Sequence, residues 1–311
     1  MQYRKLGRTG VNVSILGFGG SSLGSVFEEI DEAEGVRAVH IAVDNGINFI
    51  DTSPFYGLTK AETVLGKALR EIDREKYLLA TKVGRYGYQE KDFDFSAARV
   101  KQSVDESLQR LGVDYMDFIQ VHDMEFGNVE QVINETIPAL RKVQEQGKAR
   151  FVGVTGLPLK LLHRVSEQVE VDQIQSYCHY CLNDTSLEDF LPAFEERGIA
   201  VFNSAPLSMR LLSNAGPPSW HPAPAELRLK CAQAARFCRE RGSDISKLAL
   251  QFAVGNANIP VTIMGMANAQ QVQQNIRIIE EPLDEELLAD VLEILAPVHN
   301  LTWMSGRPEN N

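Results

Sequence analysis

Short apolar runs alternate with longer amphipathic segments along most of the chain. The runs are rich in β-branched and aromatic residues, as buried strands are, and the longer segments have helical spacing. Eight runs predict strands: Ile15–Gly19, Ile47–Asp51, Tyr77–Thr81, Tyr115–His122, Phe151–Thr155, Gln173–Tyr177, Ala200–Ala205 and Val261–Met264. This alternation predicts a parallel sheet that is covered by helices.

Capping residues mark where several helices begin and end. Ser96 is a predicted N-cap, and Gly112 is the predicted stop of the same helix. The apolar positions between them recur at helical spacing: Val100, Val104, Leu108 and Leu111. Two capping pairs predict further starts, for helices that end near Gly46 and Gly147: Asp31 with Glu34, and Asn128 with Gln131.

The number of strand–helix units favours a closed α/β barrel. Eight units over about 250 residues fit a (β/α)8 TIM barrel, which we expect to form one domain over residues 1–311. A doubly wound dinucleotide fold should open with GxGxxG, but Gly17-Phe18-Gly19-Gly20 lacks the third glycine in place. The segments Gln2–Leu6 and Asn12–Ile15 predict an N-terminal β-hairpin that closes the barrel floor.

Composition narrows the class of partner. The formal charge of −11 and the pI near 5.1 argue against a nucleic-acid partner. No apolar run approaches the roughly 20 residues of a membrane span, and the first ten residues are polar, so we expect a cytoplasmic protein. Four cysteines are too few for a disulfide framework, and the Cys178/Cys181 pair lacks a second ligand pair at zinc spacing. We therefore assign no metal.

Four ionisable residues lie at the ends of three adjacent predicted strands. Asp51 ends the second strand, Tyr56 follows five residues later, Lys82 lies at the end of the third strand, and His122 ends the fourth. Each has a structural explanation when taken alone, such as a turn, a packed loop or a core hydrogen bond. Barrel enzymes gather their chemistry at these carboxyl ends, so the coincidence indicates one catalytic site.

The four residue types fit a single proton-transfer task. A phenol with a pKa of about 10 is a poor base, but an adjacent ammonium such as that of Lys82 lowers the pKa. The Asp51 carboxylate would keep Lys82 protonated, and His122 would hydrogen-bond the substrate oxygen. Tyr56 is thus predicted to exchange a proton while hydride passes between the substrate and a nicotinamide.

Several motifs around these residues resemble the aldo-keto reductase family. The segments Asp51–Gly57, Ala80–Lys82 and Val121–Asp123 are similar to its tetrad motifs, and Gly153–Gly156 and Ser204–Leu207 are similar to its nicotinamide-binding strand ends. The resemblance implies a cofactor site built from Gly20, Ser21, Asp51, Thr155, Gly156, Gln175, Ser204, Pro206, Leu207, Arg210, Gly265, Met266, Ala267, Gln271, Gln274 and Asn275.

Three positions depart from the pattern of that family. Thr155-Gly156 stands where the family often has Ser-Asn, and Ser204 stands where an aromatic residue often stacks on the nicotinamide. Arg210 stands where a small residue is common; its guanidinium would either reach the cofactor pyrophosphate or face water.

The segment that would hold the adenosine end predicts NAD as the cofactor. Members of the family that use NADP place a lysine or arginine against its 2′-phosphate, but no cation lies between Gly265 and Asn275. Neutral side chains suit the ribose hydroxyl of NAD better. The alternative is an arginine from outside the segment, and Arg277 is the nearest.

Further segments resemble the members of the family that oxidise L-galactose: Phe93–Ser96, Ser176–Tyr180, Gly216–Pro222 and Asn300–Trp303. This likeness implies NAD-dependent oxidation of an aldose at C1 to the lactone. The Pro-rich stretch at 216–222 and the tail after Pro297 are predicted active-site lids. Candidate substrate contacts are Tyr56, Arg85, His122, Asp123, Trp220, His221 and Trp303.

Three alternatives to L-galactose oxidation stay open. They are an L-fucose-type or other aldose dehydrogenase, a small-aldehyde reductase, and a cofactor-sensing regulatory subunit with little turnover. The expected partner is a small sugar, and we expect a monomer or a weak homodimer.

Overall fold

Eight parallel strands close into a barrel in the computed structural model, which describes residues 1–311. The barrel strands are Leu16–Gly19 (β3), Phe49–Asp51 (β4), Leu78–Val83 (β5), Met116–Val121 (β6), Ala149–Gly156 (β7), Gln173–Tyr177 (β8), Ala200–Ser204 (β9) and Val261–Gly265 (β10). Each pairs with the next along the chain, and β10 returns to pair with β3. The predicted (β/α)8 barrel is confirmed.

Eleven helices connect and cover the strands. They run over Glu32–Asp44 (α1), Lys60–Leu69 (α2), Ala97–Leu111 (α3), Val129–Gln131 (α4), Ile137–Glu145 (α5), Leu159–Gln168 (α6), Leu191–Glu196 (α7), Ala225–Glu240 (α8), Ile245–Gly255 (α9), Ala269–Glu280 (α10) and Glu285–Leu295 (α11). A separate apolar cluster joins α8, α9 and α11 to Leu301 and Trp303 of the tail. None of the helices combines the length and apolarity needed to cross a membrane.

The predicted caps form as hydrogen bonds. The side chains of Asp31, Ser96 and Asn128 each accept from backbone N–H groups of the helix that follows, and Gly112 ends α3 in the left-handed conformation. The helix predicted from Asn128 to Gly147 contains a π-helical segment, Val132–Thr136. Pro138 follows that segment and has no N–H for the carbonyl four residues earlier, which favours the wider turn.

The N-terminal hairpin forms as predicted and covers the amino-terminal end of the barrel. Its strands, Tyr3–Lys5 (β1) and Asn12–Ser14 (β2), are antiparallel. Leu6 and Val13 are fully buried against the barrel interior. Within that interior, the rings of Phe49, Phe118 and Phe202 pack together with centroids 4.8–5.9 Å apart. The floor is therefore a packed core, which leaves the opposite end for chemistry.

Asp117 of β6 is a buried carboxylate that ties strands together on the outside of the barrel. It is 1% exposed and accepts from Arg74 Nη2 at 2.6 Å, Arg150 Nη1 at 2.7 Å and the Leu79 N–H at 2.9 Å. Removing it would leave two cations and a buried N–H without their acceptor.

We expect Asp117→Ala to destabilise the fold by about 2–3 kcal/mol, because the buried Leu79 N–H loses its acceptor and the partly exposed Arg74 and Arg150 lose their counter-charge. Asp105→Ala is the matched control, since Asp105 pairs with Lys148 in solvent and is 59% exposed. Its loss should cost less than about 1 kcal/mol. Chemical denaturation of the three proteins measures both values, and equal losses would show that Asp117 has no special structural role.

Candidate active site

The four predicted catalytic residues converge at the carboxyl ends of β4, β5 and β6. Asp51 is the last residue of β4, Lys82 lies in β5, and His122 directly follows β6. The parallel register places Asp51 beside Ala80 and Lys82 beside Gln120, so the side chains of these strands enter the barrel at one level. Tyr56 reaches the same place from the turn after β4. We refer to Asp51, Tyr56, Lys82 and His122 as the tetrad.

Lys82 is the centre of this arrangement. Its side chain is 1% exposed, and its Nζ donates to Asp51 Oδ2 at 2.6 Å and to the Thr52 carbonyl at 2.8 Å. The same Nζ lies 3.4 Å from the Tyr56 hydroxyl. The second oxygen of Asp51 accepts from Gln120 Nε2 at 3.1 Å. Asp51 is thereby held on both oxygens, and the ammonium is aimed at the phenol.

The charges of Lys82 and Tyr56 follow from burial and from each other. Burial opposes the charge on Lys82, but Asp51 and Tyr56 together raise the pKa of the ammonium above its usual value. Burial also raises the pKa of Tyr56, and the charge of Lys82 offsets only part of that effect. Lys82 lowers this pKa, as the sequence predicted, but desolvation of the phenolate is larger, so the pKa of Tyr56 stays above its ordinary value.

His122 is neutral at physiological pH. Burial lowers the pKa of its imidazole to about 3. Its Nδ1 lies 3.0 Å from Ser53 Oγ, which already accepts the Phe55 N–H at 3.1 Å. Because Ser53 Oγ already accepts one N–H, we assign its hydroxyl proton to Nδ1 and the imidazole proton to Nε2. A neutral Nε2–H is a hydrogen-bond donor for a substrate oxygen.

Arg85 and Asp123 form an ion pair beside His122. Arg85 Nη1 lies 2.5 Å from Asp123 Oδ2, and that oxygen is 3.6 Å from His122 Nε2. The Arg85 guanidinium also stacks on Phe55, 3.7 Å from the ring centroid. Asp123 has a φ of 47°, so the chain turns sharply there and directs the carboxylate back towards the tetrad. The structure brings both predicted rim residues together.

The two predicted lids contact each other and a third loop. Trp220 is 54% exposed and its ring lies 6.0 Å from that of Phe27, in the loop after β3. The Trp303 ring of the tail meets the His221 ring edge-on at 5.0 Å. Both nitrogens of His221 are engaged, one with the Ser208 carbonyl and the other with the Ala223 N–H. His221 therefore holds the loop and has no free nitrogen for the predicted sugar contact.

The residues expected to hold the cofactor line the same end of the barrel. Thr155 and Gly156 end β7, Gln175 lies in β8, Ser204 ends β9 and Gly265 ends β10. The other expected residues lie in the turn after β3, in the loop after β9, in the loop after β10 or in α10: Gly20, Ser21, Pro206, Leu207, Arg210, Met266, Ala267, Gln271, Gln274 and Asn275. Gln175 Oε1 and Ser204 Oγ are buried without a hydrogen-bond partner in the chain. Unpaired buried polar atoms at two adjacent strand ends fit a ligand with amide and hydroxyl groups.

The position of Arg210 decides neither of its two predicted roles, a contact with the cofactor pyrophosphate or exposure to water. Its guanidinium comes within 4.0 Å of Glu28, in the loop after β3, and its side chain is 32% exposed. The loops after β9 and β3 thus approach each other here and again at Trp220 and Phe27. Because β10 lies between β9 and β3 in the barrel, these contacts cross its carboxyl end.

The start of α10 is held by uncharged side chains. Asn268 caps the helix by accepting from the Gln271 N–H at 2.9 Å, and Gln271 Oε1 accepts from the Ala267 N–H at 2.7 Å. Gln271 therefore shapes the loop with its oxygen and keeps only its amide NH2 for a ligand. Gln274 is exposed and Asn275 is buried.

Sequence reasoning missed three residues that complete the site. Ser53 sets the tautomer of His122, Gln120 holds Asp51, and Glu125 is a fully buried carboxyl in the turn after β6. Gln120 had a usable signal, because a polar residue two positions before His122 on a strand faces the same side. Ser53 and Glu125 depend on how loops fold back, which periodicity does not report.

The fold and the tetrad define a class of protein: a (β/α)8 oxidoreductase with a lysine-assisted tyrosine. Residues 15–296 match the Aldo/keto reductase family. The chain is 46% identical over its full length to L-galactose dehydrogenase of Arabidopsis thaliana, covering 99% of that protein. It is 30% identical to D-arabinose 1-dehydrogenase of Saccharomyces cerevisiae, with 96% of this chain and 95% of the relative aligned.

A solved structure agrees with these sequence matches. The holo form of an aldo-keto reductase from Bacillus halodurans superposes with a TM-score of 0.77 at 27% identity, covering 98% of both chains. The chain belongs to the aldo/keto reductase family, and it is a nicotinamide-dependent oxidoreductase. The resemblance drawn from the tetrad motifs is confirmed.

Tyr56→Phe removes the hydroxyl that Lys82 approaches and leaves the ring packed as before. We expect nicotinamide binding to persist and turnover to fall by roughly 10²–10⁴, the usual contribution of a positioned proton-transfer group. Steady-state rates and cofactor titration of the two proteins measure this. Turnover close to that of the unaltered protein would contradict the role assigned to Tyr56.

Proposed function

We propose that the protein oxidises an aldose at C1 to the corresponding lactone with NAD, and that L-galactose is the preferred sugar. The observation that carries this proposal is the intact buried tetrad in a chain that aligns end to end with an L-galactose dehydrogenase at 46% identity. The relative at 30% identity acts on another aldose at C1, according to its name, which supports the reaction class.

The tetrad performs the proton transfer of this oxidation. Tyr56 accepts the proton of the C1 hydroxyl, and the sugar carbon becomes a carbonyl carbon as its hydride leaves. Bound NAD supplies the hydride acceptor and, in its oxidised form, a positive ring charge. Lys82 stabilises the Tyr56 phenolate that the reaction needs, and Asp51 keeps Lys82 charged. His122 donates Nε2–H to the reacting oxygen and orients it.

The rim beside His122 suits a polyhydroxylated substrate. Asp123 and Arg85 offer an acceptor and a donor next to the reacting oxygen, and Trp220 adds an exposed aromatic face. Sugars are recognised by such convergent polar groups beside an aromatic surface. Trp303 supports this rim through His221 and closes the side formed by the tail.

The preference for NAD rests on the absence of a cation at the adenosine end. The segment from Gly265 to Asn275 offers neutral side chains only. A 2′-phosphate would therefore lack charge-assisted hydrogen bonds from this segment. We also propose that Arg210 turns from Glu28 to the pyrophosphate when the cofactor binds, because the two residues are 4.0 Å apart and only loosely paired.

An initial-rate screen tests the substrate. We expect L-galactose to give the highest kcat/KM with NAD, ahead of D-galactose, L-fucose, D-arabinose and small aldehydes. A higher kcat/KM for L-fucose or D-arabinose would identify a different aldose as the preferred substrate. Cofactor binding without measurable turnover of any aldose would instead favour the regulatory-subunit alternative.

Comparing kcat/KM with NAD and with NADP tests the role proposed for the segment from Gly265 to Asn275 at the adenosine end. We expect kcat/KM with NAD to exceed that with NADP by at least about tenfold, since a missing charge-assisted contact costs 1.5–3 kcal/mol. Gln274→Arg, on the exposed face of α10, should narrow this ratio by adding a cation. Gln102→Arg on α3 adds the same charge far from the site and should leave the ratio unchanged. An NADP preference in the unaltered protein would overturn the proposal for NAD.

A further inference from the structure

Glu125 is a buried carboxyl group with no part in the tetrad mechanism. It lies in the short 3-10 turn Met124–Phe126, three residues after His122, and has no exposed surface. One of its oxygens, Oε2, is buried without a hydrogen-bond partner in the chain. Leaving such a group unpaired costs free energy, so its position calls for a ligand or another physical explanation.

The unpaired oxygen occupies space that the side chain of residue 156 would otherwise fill. A Cβ built on Gly156, at the end of β7, would lie 2.8 Å from Glu125 Oε2, closer than real Cβ contacts allow. The φ of Gly156 is not in the left-handed region, so its backbone does not require glycine. Glycine at 156 therefore makes room for the carboxyl of Glu125.

The turn, β7 and the tail fix the direction of this carboxyl. Its Oε1 accepts from the Leu157 N–H at 3.1 Å and from Ser305 Oγ at 2.9 Å. The Glu125 carbonyl accepts from the Arg307 N–H at 2.9 Å and from Asn310 Nδ2 at 2.8 Å. With Oε1 and the backbone both held, Oε2 is left beside Gly156, in the space that a side chain on that residue would fill, which we call the gap.

The surroundings keep this carboxyl protonated at neutral pH. Burial, together with the nearby Asp123 carboxylate, raises the pKa of Glu125 to about 8. Tyr177 of β8 is the other titratable group close to it, and its own pKa is raised by burial, so it remains a neutral phenol. A protonated carboxyl presents a carbonyl oxygen and an O–H donor, the same pair of functions as a side-chain amide.

We propose that Glu125 is a cofactor-binding residue that donates a hydrogen bond through the gap at Gly156 to the carboxamide oxygen of the nicotinamide. Its carboxyl occupies the position that a side chain on residue 156 would have. It comes from the turn after β6, whereas residue 156 ends β7. Gln175 supplies the complementary acceptor for the carboxamide NH2, because its unpaired Oε1 lies in the strand paired with Thr155 and Gly156. The inference rests on the proposed function only in assuming that NAD is the cofactor.

The affinity of the protein for NAD, measured by calorimetry without any sugar, tests this assignment. We expect Glu125→Ala to raise the Kd for NAD about five- to tenfold at pH 7, the effect of one lost hydrogen bond. Glu125→Gln keeps a donor and an acceptor and should bind NAD within about twofold of the unaltered protein. Glu145→Gln, on the exposed end of α5, is the control for removing a carboxylate.

The pH dependence of the same Kd separates a bound donor from a purely structural role. As the pH rises through about 8, Glu125 loses its proton and can no longer donate, so the Kd of the unaltered protein should rise about tenfold by pH 9.5. The Kd of Glu125→Gln should stay level over that range. A Glu125→Gln protein whose Kd rises as steeply as that of the unaltered protein would overturn the proposal.

A rescue variant completes the test. In the Glu125→Ala background, Gly156→Asn has room for its side chain and returns an amide to the gap, so the Kd should recover to within about threefold of the unaltered value. Glu125→Ala with unchanged affinity, or loss of affinity that Gly156→Asn does not restore, would show that Glu125 only packs the turn. Because no sugar is present, these outcomes are independent of whether L-galactose is the substrate.

Discussion

The buried ion pair between Lys82 and Asp51 is the interaction on which the active site depends. A lysine with 1% exposure would lose its proton without a compensating charge, and Asp51 supplies that charge at 2.6 Å. The pair needs a closed barrel, because only adjacent parallel strands place two side chains at one level inside a dry interior. Gln120 and the Thr52 carbonyl use up the remaining hydrogen-bonding capacity of the pair. The Lys82 ammonium is then left facing the Tyr56 hydroxyl.

Burial shifts the pKa values of two members of the site, His122 and Tyr56, in opposite directions. It makes His122 a neutral donor, and it makes Tyr56 a weaker acid than a phenol in water. The site is therefore not a preformed phenolate that waits for substrate. The Lys82 ammonium lowers the pKa of the Tyr56 phenol, whereas burial and the carboxylates of Asp51 and Asp123 raise it.

The sequence allowed the barrel, the tetrad and the hairpin to be predicted, because each depends on local pattern. Short apolar runs and segments with helical spacing alternate along the chain, and the carboxyl ends of parallel strands must meet, which brings Asp51, Lys82 and His122 together. The pKa of Tyr56 was not predictable, because it depends on how deeply the folded chain buries the phenol. Glu125 escaped notice because its partners, Leu157 and Ser305, come from segments 32 and 180 residues away. The role of His221 was misjudged for a similar reason, since its partners are backbone groups of its own loop.

The two ends of strand β6 have different roles, one structural and one in the active site. Asp117, near its first residue, anchors Arg74 and Arg150 on the outer surface, whereas Gln120 and His122, at its other end, belong to the site. Only about 10 Å of extended chain separates Asp117 from Gln120, yet they have no side-chain partner in common. Changes in substrate preference can therefore accumulate at one end of the strand while the anchorage at the other end is preserved. Because of this separation, barrels of this kind can change their sugar preference during evolution without first gaining stabilising substitutions elsewhere.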